Sequence, residues 1–370
     1  MAKKIRVGVI FGGRSAEHEV SLVSAASVIS ALDQKIYEVI PIGITKQGQW
    51  LVGEPLKALK SGNLKQVNPV TPPTNVLQKG LVRAEKKART LAIDVFFPVL
   101  HGPYGEDGTI QGLLELTDIP YVGAGVLASA LGMDKVAQKQ LYEQAGIPTP
   151  KFIFFHQSDW RKDRNKIIKR IKKEIGFPCF IKPPNLGSSV GISKVRQEKD
   201  LIKAIKMAFR YDLKVIVEKS VEEAREIEIS VLGNDQPRVS LPGEIVPSNE
   251  FYDYEAKYID NRSKAVIPAK LPKTVIKKIQ AYALAAFKLL NISGMARADF
   301  LVEKKGFKIY LNEINTIPGF TSISMYPKLW QASGLDYADL ISELIRLARE
   351  RNRQKKALQT SYRPKKNWYK

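Results

Sequence analysis

Residues 296–315 read ARADFLVEKKGFKIYLNEIN, and two strands are legible in them. Ala296–Val302 and Phe307–Asn312 form an expected hairpin, with Phe300, Leu301, Ile309, Tyr310 and Leu311 as apolar flanks. Side chains two apart on a strand share a face. Arg297 therefore shares one with Asp299, and Glu313 shares one with Asn315. Two carboxylates and an amide oxygen on neighbouring strands are the hard donors that Mg²⁺ prefers, with phosphates and waters completing its shell. Arg297 cannot ligate a cation; its planar fork suits a phosphate or a tetrahedral oxyanion. Cross-strand ion pairing on a solvated face is the plainer reading. The apolar flanks argue for a buried sheet, where unpaired acids are costly, and so favour the metal site.

Outward from this hairpin the chain alternates strands and helices. Strands Lys214–Glu218 and Glu226–Leu232 and a helix Lys273–Leu290 precede it, and a last helix Tyr337–Arg349 follows. Further upstream, Asp134 can cap a helix running to Ala145. Strands are expected after it at Lys151–Phe155 and Phe177–Lys182. The first third carries strands Ile5–Phe11, Tyr37–Thr45 and Ile93–Leu100 and an amphipathic segment Glu17–Leu32, a βαβ rhythm that implies a mainly parallel sheet. Two stretches lack periodicity. Lys46–Leu91, with Pro69, Pro72 and Pro73, reads as an irregular excursion. Pro247–Arg262 is polar and aromatic, and a loop of that length inside a domain is usually functional or disordered.

Three further segments point to an anionic ligand. Lys182-Pro183-Pro184-Asn185-Leu186-Gly187-Ser188-Ser189-Val190-Gly191 follows a strand, and its Gly and Ser residues let backbone N–H groups face a phosphate. It lacks the Gly-Lys-Ser/Thr of a Walker loop, and an ordinary turn between strands explains it equally well. Val217-Glu218-Lys219 ends an apolar strand, with Glu226 shortly after, as at the edge of a nucleotide-base site. His101-Gly102-Pro103-Tyr104-Gly105-Glu106-Asp107-Gly108 follows Leu100, where the strand ends of an α/β sheet hold ligands. A similar loop, Gly12–Glu19, follows the first strand. Glu17 there can cap a helix or hold the ammonium of an amino acid.

Composition narrows the class. The 370 residues are 44% hydrophobic, enough for two or three domains. No long apolar run suggests membrane insertion. Met1-Ala2-Lys3-Lys4 leads into a strand interrupted by Arg6, unlike a signal peptide. A single Cys179 excludes an intramolecular disulfide and fits a cytoplasmic protein. The net charge of +22 raises nucleic acid as a partner, but the charge is concentrated. Ten Lys/Arg and one Glu fall from Arg346 onward, and eight basic residues with one Asp lie in Arg161–Lys173. There Ile167, Ile168, Ile171 and Ile175 mark an amphipathic helix with a solvated basic face. No nucleic-acid motif accompanies the charge.

In order, the chain carries GGRSAEHEVS, HGPYGEDGTIQG, ALGMDK, FIKPPNLGSSVGISKV, VEK, EFYDYEAKY, ARADF and NEINTIPGFTSISMYP. Together these resemble the D-alanine–D-alanine ligase family of the ATP-grasp superfamily, from about Ile5 to about Leu347. The resemblance implies an α/β fold in which an N-terminal doubly wound parallel-sheet domain (1–124) precedes an ATP-grasp fold. The latter comprises a central subdomain (125–219) and a C-terminal catalytic subdomain (220–347), followed by a basic, disordered tail (348–370). It also implies ATP, two Mg²⁺ replaceable by Mn²⁺, D-alanine as substrate, and a homodimer.

Residue by residue, the resemblance gives Glu17 the ammonium of the first D-alanine and sets His101 near its carboxylate, with Ser188 orienting that site. Lys135, Lys182 and Lys257 would contact phosphates, and Glu218, Lys219, Val221 and Glu226 adenine and ribose. Asp299, Glu313 and Asn315 would bind the metals. Arg297 and the Gly319 backbone would stabilise the oxyanion, and Ser324 and Met325 would meet the second carboxylate. Tyr258 would bond toward Glu17 and Ser188. Two alternatives compete with this reading: an ATP-grasp ligase of other specificity, distinguished at Glu250–Tyr258 and Ser324-Met325, and a basic nucleic-acid-binding protein on the same scaffold.

Overall fold

A computed structural model describes residues 3–72, 80–83, 90–246 and 264–362. The N-terminal unit opens with β1 (Ile5–Gly12), α1 (His18–Ala31), β2 (Tyr37–Ile44), β3 (Trp50–Gly53) and α2 (Pro55–Ser61). It continues with β4 (Val67–Thr71), β5 (Gly80–Arg83), β6 (Thr90–Ala92), β7 (Val95–Pro98) and α3 (Thr109–Glu115). Its sheet runs β6-β5-β4-β3-β2-β1-β7. β2, β1 and β7 are parallel, and the remaining strands add antiparallel. The stretch Lys46–Leu91, expected to be irregular, thus widens the sheet. Pro69 hid this: it lies within β4, opposite Leu51 of β3.

Helices α4 (Val126–Met133) and α5 (Lys135–Gln144) follow, and Asp134 caps α5 by accepting from the N–H groups of Val136 and Ala137 at 2.9 and 3.1 Å. Both helices were expected to open the central subdomain, but they pack on the third sheet. Ala128 and Tyr142 join the core formed by Phe300, Leu311 and Ile314. The Gln138 side chain seals the open edge there, accepting from Ile314 N–H at 3.0 Å.

The central unit proper comprises β8 (Phe152–His156), α6 (Gln157–Lys162), α7 (Arg164–Glu174), β9 (Cys179–Lys182), β10 (Ser193–Val195), α8 (Glu198–Ala208) and β11 (Lys214–Lys219). Its four antiparallel strands run β10-β9-β11-β8. α7 buries Ile167 and Ile171 and leaves its basic face exposed.

The third sheet is built from β12 (Ala224–Gly233), β13 (Arg238–Val239), β14 (Gly243–Val246), β15 (Lys264–Val266), β16 (Gly294–Glu303) and β17 (Ile309–Asn315), with α9 (Lys273–Leu289) on its back. α10 (Met325–Ala332) and α11 (Tyr337–Lys356) close the chain. A β-bulge between Asp299 and Phe300 lets Asp299 face Glu313 and Phe300 face Leu311, leaving Asn312 as the extra residue. Leu311 and Glu313 would otherwise share a face. The bulge keeps Ile309, Leu311 and Ile314 in the core and turns Glu313 to the side of Asp299.

The basic tail expected from residue 348 begins later, because α11 continues to Lys356. Its apolar side joins the core beneath β1 and β7. Arg351 falls within that expected tail. It instead donates to the carbonyls of Tyr121 (3.0 Å) and Gly123 and to Ser293 Oγ (2.6 Å), with its guanidinium 4.5 Å above the Tyr121 ring. Five donors let one arginine satisfy several such groups at once.

Candidate active site

Loops from all three units meet between the sheets. Glu17 occupies the N-cap position of α1, yet its side chain makes no capping bond. Its Oε1 accepts instead from Ser188 Oγ, and its Oε2 is buried with no hydrogen-bond partner among the described residues. Of the two sequence readings, capping therefore fails, and a buried acceptor remains for an ammonium. A Cβ on either Gly102 or Gly187 would lie 2.8 Å from that Oε2, so both loops need glycine to approach it. Ser188 and Ser189 both adopt left-handed backbone, with φ of 48° and 59°. Non-glycine residues hold that conformation at some cost, and such strain concentrates at functional sites.

His101 is buried. Its Nδ1 lies 3.2 Å from the Ile317 carbonyl and its Nε2 3.2 Å from Ser24 Oγ. A carbonyl can only accept, so Nδ1 donates and Nε2 accepts from the serine. Burial pushes the imidazole pKa down, against the opposing pull of Glu17, and keeps the ring neutral. Glu106 lies in the same loop, where the glycines are the stronger sequence signal. Its Oε2 accepts from Gly102 N–H at 2.7 Å. Burial, reinforced by the Glu17 charge, raises its pKa to about 8.

At the other end, Lys135 from the start of α5 reaches Glu313 Oε2 at 3.0 Å and donates to the Leu186 carbonyl at 2.8 Å. It thereby ties the Gly/Ser loop to the acidic strand. Lys182 Nζ sits 2.5 Å from Glu218 Oε2, and Lys139 Nζ 3.3 Å from Oε1. Lys139, not singled out in the sequence, is fully buried, and burial lowers its pKa to about 8 against the pull of Glu218. Its signal was the i, i+4 spacing from Lys135. The Glu218 carboxylate is occupied by lysines, Lys219 ends β11, and Glu226 lies on β12.

Across the third sheet, Glu228, Asp299 and Glu313 stand abreast, and Ser230, Arg297 and Asn315 form the next row. Arg297 forks onto Asp299 with two bonds of 2.7 Å and reaches Glu228 Oε2 at 3.0 Å. Asn315 Nδ2 donates to Asp299 Oδ2 at 3.0 Å. Ion pairing and clustered hard donors therefore coexist. Glu228 was missed, although its two-residue offset from Glu226 puts both on one face. Among the described residues no three His, Cys, Asp or Glu side chains converge to hold a cation by themselves. Asp299, Glu313 and Asn315 supply part of an oxygen shell, a set that fits a magnesium ion sharing its shell with phosphates and water.

The loop after β17 completes the crevice. Ser324 Oγ accepts from Thr321 N–H at 3.0 Å and lies 2.8 Å from Thr321 Oγ1. A Cβ on Gly319 would fall 2.7 Å from that Oγ. Ser324 is the N-cap of α10, and Met325 packs its side chain beside Ile245 and Leu329. Lys257 and Tyr258 lie outside the described residues.

Two antiparallel sheets, with Lys182 on the second and a carboxylate row on the third that Lys135 reaches, are the arrangement of an ATP-grasp ligase. The comparisons give the family. The model of the D-ala D-ala ligase N-terminus matches residues 6–124, and that of the C-terminus matches residues 141–346. The chain belongs to the D-alanine–D-alanine ligase family, ATP-dependent ligases of peptidoglycan precursor synthesis. It is 50% identical to the D-alanine–D-alanine ligase of Natranaerobius thermophilus, covering 97% of this chain and 99% of the relative. The corresponding ligase of Caldicellulosiruptor bescii is also 50% identical, over 97% and 99%. Among solved structures, the D-alanine–D-alanine ligase from Coxiella burnetii superposes with a TM-score of 0.82 at 36% identity, covering 96% of this chain and 97% of that one. The VanG D-Ala:D-Ser ligase from Enterococcus faecalis gives 0.83 at 38%, covering 94% and 100%. Fold likeness alone does not choose the second substrate. Among the described residues no helix is long and apolar enough to cross a membrane.

Proposed function

We propose that this chain joins two D-alanines to D-alanyl-D-alanine at the expense of ATP. The observation that carries the proposal is the buried Glu17 carboxylate, which accepts from Ser188 Oγ of the Gly/Ser loop and keeps its Oε2 without a hydrogen-bond partner among the described residues. Glu17 holds the ammonium of the first D-alanine, and Ser188 fixes that carboxylate. An oxygen of the substrate carboxylate attacks the γ-phosphorus, ADP leaves with the bridging oxygen, and an acyl phosphate remains. The amine of the second D-alanine adds to the acyl carbon, and the oxyanion faces Arg297 and the Gly319 N–H. Collapse expels phosphate, and the ammonium proton passes to solvent or phosphate. Ser324 and the Met325 N–H, at the start of α10, receive the second carboxylate. Lys135 and Lys182 face phosphates.

Two Mg²⁺ ions, for which Mn²⁺ can substitute, would be held by Asp299, Glu313 and Asn315. When bound they neutralise the charge that moves during transfer. A cytoplasmic location fits the lone buried thiol of Cys179. The homodimer follows from the family resemblance and is checked by sedimentation equilibrium. The mechanism is tested with D-alanine carrying ¹⁸O in its carboxylate. Acyl-phosphate formation moves one ¹⁸O into each released phosphate; phosphate without label rules that intermediate out.

A further inference from the structure

The strand pairing of β9 with β11 sets Lys182 opposite Ile216 and Phe180 opposite Glu218. Lys182 is therefore the diagonal neighbour of Glu218 on one face, close enough for the 2.5 Å ion pair. Glu218 is 2% exposed and Lys182 8%, whereas Lys139 is 0%. Lys139 is also held from behind. Its Nζ donates to Thr149 Oγ1 at 3.0 Å, and that hydroxyl donates to the Leu311 carbonyl at 2.9 Å. Lys139 thus has no path to a ligand, and Lys182 is the member of the pair that a nucleotide can reach.

A buried carboxylate with a single cation holds it tightly, because separation leaves an unpaired charge in a medium that solvates it poorly. Had Glu218 only Lys182, a phosphate that drew Lys182 away would strand the acid. With Lys139 at its other oxygen, Glu218 keeps a counter-charge throughout. The trio then carries one net positive charge toward the cleft, and without Lys139 it would carry none.

We propose that Lys139 is a positioning residue for nucleotide binding: a fixed, inaccessible counter-ion of Glu218 that frees Lys182 to engage a phosphate of ATP. The inference rests on the assignment of this cleft to ATP and adds a residue that never touches the ligand. Lys139 acts on the phosphate part of the nucleotide, and the adenosine part is insensitive to it.

The test compares inhibition of the ligase by adenosine and by ADP with magnesium, for the parent protein, Lys139→Met, Glu218→Gln and the double variant. For Lys139→Met the ADP inhibition constant should rise about tenfold or more, the range for a lost charge-assisted contact. The adenosine constant should move by less than about twofold. The gain in affinity from adenosine to ADP thereby shrinks. The double variant, in which no acid detains Lys182, should regain the gain seen in Glu218→Gln alone. A general loss of structure would weaken both ligands in parallel and would not be rescued by removing the acid. Parallel weakening, an unchanged ADP constant, or failure of the double variant to recover overturns the proposal. If neither compound inhibits the parent protein, the cleft is not a nucleotide site, and the underlying functional reading falls instead. Should Lys139→Met fail to fold, Lys139→Gln carries the same comparison.

Discussion

Ser188 Oγ donates a hydrogen bond to Glu17 Oε1, closing a span of 171 residues between a loop of the first sheet and the Gly/Ser loop of the second. This contact joins the proposed amino-acid site to the loop proposed to face phosphates. A hydrogen bond to a charged group contributes about 1.5–3 kcal/mol. Ser188→Ala should therefore lower kcat/KM for the first D-alanine roughly 10- to 100-fold. Steady-state kinetics at saturating ATP measure this, and an unchanged value would mean the contact does not orient the substrate.

Glu313 stands opposite Asp299 and is already balanced by Lys135. Glu313→Gln keeps the shape and removes the charge. Turnover should fall by at least about a hundredfold, with circular dichroism and the melting midpoint little altered. Activity near the parent level would remove Glu313 from the metal site.

Glu106 supplies a pH signature. Its pKa is raised from 4.5 to about 8, chiefly by burial. Between those values the unfolded chain has lost the proton while the folded chain keeps it, so the folded state binds more protons. The contribution to stability is thus complete below about pH 4.5, declines as pH rises and is gone above about 8. Glu106→Gln should flatten this part of the pH dependence. Urea unfolding of both proteins at pH 5 and pH 8 measures the difference; identical slopes would mean Glu106 is ionised in the folded state.

How much of this was legible in sequence depends on the range of the interaction. The bonds of Asp134 to the start of α5 are local, and the residue type with its position announced them. Strand periodicity put Arg297 with Asp299 and Glu313 with Asn315, but the pairing of Asp299 with Glu313 depends on the bulge at Asn312, which shows only as the shift from Ile309 and Leu311 to Ile314 in the core. Lys139 and Arg351 were not legible as buried. Each is a charged residue on a helix, and only groups brought from distant chain (Glu218 for one, the Tyr121 and Gly123 carbonyls for the other) make burial tolerable. Proline signals misled in β4, because they mark turns and strand edges alike.

Arg351 also carries a stability prediction. It holds residues 121–123 against Ser293, the residue just before β16. Arg351→Met leaves buried carbonyls without donors, and should cost about 2–4 kcal/mol. Chemical denaturation checks it, and a loss below about 0.5 kcal/mol, the scale of an ordinary surface change, would contradict the buried docking.

The central claim, ligation of two D-alanines, is tested most directly by phosphate release from ATP with D-alanine as donor and D-alanine, D-serine or D-lactate as the competing second substrate. Each product is quantified by mass spectrometry. D-alanyl-D-alanine should form one for one with phosphate and dominate the mixture at neutral pH. No phosphate release dependent on D-alanine, or a dominant mixed product with D-serine or D-lactate, would contradict it.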